Sequence, residues 1–149
     1  MRKSANGRVA RTERRGGAIV EVAVCFPVFM LILLGIVEFG RAMSVSQMLN
    51  SAAREGCRSA IIDGSTTEGI TAEIKEHVVS MIGCSGDSVT VSIAVTSRNT
   101  GAAVAELSAA ESRDLIEIDV SVPYSAVSFA VNNFLQGQSL RGECSMRHE

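Results

Sequence analysis

From Ala18 to Val37 the chain is apolar on every side, twenty residues with one charge, Glu21. A helix that is hydrophobic all round belongs in lipid or in a deep core. At about 1.5 Å rise per residue it spans roughly 30 Å, the thickness of a bilayer's hydrocarbon. After Arg41 the pattern narrows to a stripe. Val45, Met48, Leu49, Ala52, Ala53, Gly56, Cys57, Ala60 and Ile61 recur at helical spacing. Many of them are small, so another element can approach closely. Unbroken, the predicted helix runs from about Gly17 to Ile62, roughly 70 Å, and "DGSTTEG" (63–69) ends it.

The remaining pattern predicts a small α+β domain. "ITAEIKEHVVSMIG" (70–83) places Ile70, Ile74, Val78, Met81 and Ile82 on one helical face and closes on Gly83. "SVTVSIAVTS" (88–97) and "LIEIDVSV" (115–122) alternate apolar and polar residues, as half-buried strands do. Between them, 99–114 reads as a loop with room for a short helix around Ala103 to Glu111. "YSAVSFAVNNFLQG" (124–137) reads as an irregular or helical cover, and "QSLRGECSMR" (138–147) as a last, more polar strand. The expected fold is a long N-terminal helix, its first half transmembrane and its second amphipathic, packed with a smaller helix on an antiparallel sheet of about three strands. The expected division is a basic leader (1–16), the long helix (17–62, with the span at about 18–37) and an extracytoplasmic domain (63–149).

Charge gives the apolar run an orientation. The net charge is -2, yet residues 1–16 hold six basic side chains and one acid. A basic arm directly before an apolar run reads as a cytoplasmic flank, not as a nucleic-acid tail, with the C-terminal bulk translocated. A cleaved secretory signal ending near Gly40-Arg41-Ala42, a twin-arginine signal at Arg14-Arg15 and a plain uncleaved anchor are the alternatives, and none accounts for Glu21. A carboxylate at the centre of a spanning helix costs about 2.5–3.5 kcal/mol. Near the end it costs less, and the positive end of the helix dipole favours an anion there. A tolerated boundary glutamate is thus the plain reading. Pro27 has no amide hydrogen for the carbonyl of Ala23, which predicts a kink with or without a task.

The stretch also resembles the N-termini of type IV pilin-like proteins, most closely the TadE-like pseudopilins of tight-adherence (Flp-type) machinery. The likeness rests on "RRGGAIVEV", "CFPVFMLILLGIVEFGRAM", "LNSAAREGCRSA" and the closing "SMRHE". It implies a pilin-like fold and a leader removed by a prepilin peptidase after Gly16, which makes Glu21 the fifth residue of the mature chain. A cut after Gly17 would make it the fourth. It implies that Glu21, with Pro27, sets the register between neighbouring helices. The implied partners are the membrane, the peptidase, other pilin or pseudopilin subunits and the Tad inner-membrane platform, with the chain held in the inner membrane by a single pass. Val22 departs from the family, which often has an aromatic there. A single-pass anchored binding module is the competing reading.

Other chemistry finds little footing. About 90 residues beyond the membrane segment hold only a small core. Tryptophan is absent and six residues are aromatic, which argues against a stacking platform for nucleic acid. No phosphate-binding glycine loop, nucleophile signature or metal-ligand spacing is present, so neither an enzyme nor a cofactor is expected. His77, His148, Cys84 and Cys144 lack a recognised zinc pattern. Cys25 reads as a small apolar residue. Of Cys57, Cys84 and Cys144, the element positions favour a Cys84–Cys144 bridge worth roughly 4 kcal/mol on the chain-entropy model. Cys57 would then be free or make an intersubunit bond, and no bridge at all is the alternative.

Overall fold

The computed structural model describes residues 13–62, 64–128 and 137–148. Among the described residues there are two α-helices and four strands, α1 (Glu13–Ala60), α2 (Thr67–Ile82), β1 (Thr90–Thr96), β2 (Ala103–Val104), β3 (Leu115–Pro123) and β4 (Ser139–Arg147). The chain divides into two compact units between Val37 and Glu38.

In the second unit the strands form one antiparallel sheet in the order β2-β1-β3-β4. Alternation puts Ile116, Ile118, Val120 and Val122 of β3 in the core, while Glu117 faces out. The stripe on α1 meets that face. Val45, Leu49, Ala52, Ala53, Cys57 and Ala60 are buried, and Met48 and Ile61 are half-buried. Each large apolar side chain so covered contributes about 1.5–3 kcal/mol. Gly56 gives α2 its seat, since a Cβ there would lie 2.7 Å from Cγ1 of Ile74.

Local chemistry sets the ends of α2. The Thr66 side chain accepts from the amide of Gly69 at 3.2 Å, starting the helix three residues before the apolar pattern does. Gly83 ends it in the left-handed region at φ 74°, its amide donating to Val79 O at 2.9 Å. The buried face is Ile70, Ile74 and Val78, as the spacing predicts.

The sheet has one strand more than expected. A turn that bonds Ser97 N to Ala102 O and Gly101 N to Ser97 O, both at 2.9 Å, sends the chain back along β1. Ala103 and Val104 then pair with Thr96 and Val95. The helix anticipated around Ala103 to Glu111 is replaced by this short strand and a single 3₁₀ turn, Leu107–Ala109. So short a stretch cannot by itself offset helix nucleation, whereas Leu107 is buried and its amide donates to Thr67 Oγ1 at 3.1 Å. After β3 the chain makes a 3₁₀ turn, Tyr124–Ala126. The rest of the anticipated 124–137 cover falls mostly on 129–136, outside the described residues.

Candidate processing junction and assembly helix

Gly16 and Gly17 lie in the early turns of α1, exposed, with nothing within 4 Å of the position a Cβ would take. Gly17 and Glu21 are four residues apart in a helix and therefore share a face, with Glu21 exposed. Apolar side chains surround them on every side. Ile19 is 70% exposed, Val22 63%, Phe26 56% and Ile36 63%. The most apolar window of this helix has a mean hydropathy of 2.7 and none of it is buried. By length and composition the helix is able to cross a membrane. α1 continues through Pro27, which leaves the carbonyl of Ala23 without its amide donor, a group that neighbouring helices can satisfy in lipid.

Where the second unit begins, two charged residues of α1 are tied to the segment after β3. Glu38 is buried and its Oε2 accepts from the hydroxyl of Tyr124, itself buried. Arg41 Nε donates to Val127 O at 3.1 Å. Burial, and then the adjacent carboxylate, push Tyr124 up to about 12, with the Arg41 charge acting in the opposite sense. Sequence spacing pairs Glu38 with Arg41 along the helix; it does not reveal that both reach residues 86 positions away. The one usable signal was a charge pair within an otherwise apolar run.

Residues 16–58 match the family model described as TadE-like protein. This segment is TadE-like. No curated protein and no solved structure gave a significant match to the chain. The TadE-like segment holds Gly16, Gly17, Glu21, Pro27, Glu38 and Arg41, and ends one residue past Cys57. The sheet lies outside it.

The C-terminal half of the TadE-like segment touches β4 closely. Ser46 Oγ donates to Arg141 O at 3.2 Å, and the Glu143 amide donates to Asn50 Oδ1 at 3.2 Å. Between them Gly142 meets the helix backbone at Leu49 and Asn50 so closely that no Cβ fits. Cys57 Sγ donates to Cys144 O at 3.4 Å. Burial, and then the neighbouring Cys144 thiol, push Cys57 up to about 12. All four cysteines are free thiols, Cys57 and Cys84 buried, Cys144 half-buried and Cys25 exposed. Cys84 leads into β1, and β3 separates β1 from β4.

The other polar features hold the fold. Glu55 and Arg58, at 3.9 Å, form the exposed pair expected from their spacing, worth a few tenths of a kcal/mol. The buried Asp114 accepts from the amides of Arg98 and Glu111, both at 2.9 Å, and these bonds hold its carboxyl below the usual carboxylate range. Two further bonds, His148 N to Asp114 O and Arg113 N to His148 O, carry the chain's end past β4. His77 is exposed on α2, and His148 is buried beside Asp114. Among the described residues no group of three or more His, Cys, Asp and Glu could hold a metal ion.

Proposed function

We propose that the chain is a pseudopilin-like structural subunit of a Tad (Flp-type) pilus or secretion apparatus, carried in the inner membrane by one pass with its leader in the cytoplasm. A prepilin peptidase cuts after Gly16, and the mature chain begins at Gly17. The observation that carries the reading is an all-round apolar, uncovered stretch of α1, residues 18–37, whose single acid, Glu21, stands one turn from Gly17. Cleavage creates an α-amine there. In low dielectric a carboxylate is costly alone and much less so beside a cation, so Glu21 favours the axial offset that brings a neighbour's new amine alongside. The extracytoplasmic α+β domain is then carried on the helix, and its role is structural, with other pilin or pseudopilin subunits as partners.

Mass analysis of the membrane-extracted protein's N-terminus tests this. The expected result is a chain starting at Gly17 with the apolar segment retained. An intact Met1 in cells that process other prepilins would overturn the pseudopilin reading in favour of a plain anchor. Glu21→Gln should leave insertion and cleavage unchanged and weaken crosslinking between retained helices; unchanged crosslinking would remove the register role.

A further inference from the structure

We propose that Cys57 and Cys144 form a disulfide that ties α1 to strand β4. Two independent features place them together. The missing Cβ of Gly142 points at the backbone of α1, and side chains along a strand alternate with a period of two, so Cys144 presents its side chain to the same helix. Cys57 is fully buried on the face of α1 that covers the sheet, and its sulfur lies 3.4 Å from Cys144 O. Cys144 stands in register with Ile118 at the middle of the β3–β4 pair, so the two thiols meet inside the helix–sheet interface and not at a frayed end. Cys84, the partner that element positions favour, is in the link that leads to β1, on the other side of β3 from β4.

The oxidant is a second disulfide, supplied by a thiol–disulfide oxidoreductase or by a small-molecule disulfide. Cys144, the more accessible sulfur, loses its proton to solvent and attacks one sulfur of that disulfide. The first oxidant thiolate leaves and a mixed disulfide remains. Cys57 then gives up its proton and attacks the Cys144 sulfur, and the second oxidant thiolate departs. Overall, two protein thiols are oxidised by two electrons and one disulfide is reduced to two thiols. Burial of Cys57 makes it the slower, resolving thiol. The residues are 87 positions apart, so the bond removes much of the unfolded chain's freedom.

The test uses the full-length chain, purified reduced in detergent and exposed to oxidised glutathione. Remaining thiols are alkylated in urea, and the digest is mapped without reductant. The expected result is a linked pair of Cys57 and Cys144 peptides, with Cys25 and Cys84 alkylated. Cys84→Ala should give the same link in the same yield. In Cys57→Ala the link should vanish and glutathione should remain on Cys144. The oxidised wild type should also unfold at higher urea than the reduced form. A Cys84–Cys144 link, a link between chains, or full alkylation of Cys57 and Cys144 after oxidation would each overturn the proposal. None of these outcomes depends on how the leader is processed.

Discussion

Gly142→Ala tests how tightly the helix lies on the last strand. An added Cβ would lie 2.6 Å from Leu49 O, and nearer still to Leu49 C and Asn50 N. Carbon atoms in ordinary contact are about 3.5–4.0 Å apart, so helix and strand would have to separate by about 1 Å. None of the three atoms can swing aside, because all belong to the backbone of α1. Separation would strain the bonds from Ser46 to Arg141 O and from the Glu143 amide to Asn50 on either side. Overpacking of this kind costs about 1–3 kcal/mol, and each weakened hydrogen bond adds about 0.5–1.5 kcal/mol. The gain from replacing glycine within a strand is about 0.5–1 kcal/mol in the other direction. The net expectation is a loss of about 2–4 kcal/mol, a large fraction of a small domain's stability. Tyr124 is the only tyrosine and there is no tryptophan, so intrinsic fluorescence during urea unfolding of the full-length chain in detergent reports this domain alone. Gly86→Ala is the control. There an added Cβ would meet only Val79 Cγ2 at 3.8 Å, an ordinary contact. Its midpoint should stay within about 0.5 kcal/mol of wild type. Equal midpoints for Gly142→Ala and wild type would refute the close contact.

Tyr124 should resist ionisation. Its folded value, about 12, lies above the ordinary 10.0, so its contribution to stability is complete below pH 10.0 and fades as pH rises toward 12. Cys57, raised from 9.0 to about 12, acts in the same direction. Phenolate absorbance should emerge near 12 in the folded chain and near 10.0 in urea. Tyr124→Phe should cost about 1.5–3 kcal/mol by removing a donor to a buried carboxylate, read from thermal melts by circular dichroism. Asp114 has the opposite sign. Its folded value lies below 3.8, so its contribution is present above 3.8 and is lost as acid brings the pH down through the folded value. In Asp114→Ala the urea midpoint should lose part of its acid dependence; an unaltered pH profile would show that the carboxylate is not what joins Arg98 and Glu111.

Periodicity revealed the parts of this fold that are long. The stripe from Val45 to Ala60 and the alternation of Ile116, Ile118, Val120 and Val122 each repeat often enough to be seen, and each is buried as a unit. β2 was hidden because two residues, Ala103 and Val104, carry no period; only the turn before them makes a strand. Tyr124 and Glu38 stayed unconnected because nothing local links residues 86 apart. Stretch 138–147 read only as a more polar strand, yet the lack of a side chain at Gly142 is what lets β4 touch α1. The cysteines illustrate the same limit. Placement beside and within strands favours Cys84 for Cys144, while crossing of the helix over the sheet brings Cys57 to it. The TadE-like signature was legible because it sits in one uninterrupted helix.

β4 forms one border of the sheet, and such borders invite foreign strands to add on. Here Ser46 and Asn50 already occupy the carbonyl of Arg141 and the amide of Glu143. A strand arriving from another molecule along this part of β4 would have to break both bonds to the helix that covers the sheet's core. At the opposite border the two-residue β2 pairs only with Val95 and Thr96, so the helix guards one side of the sheet and leaves the far side the readier place for a strand to join.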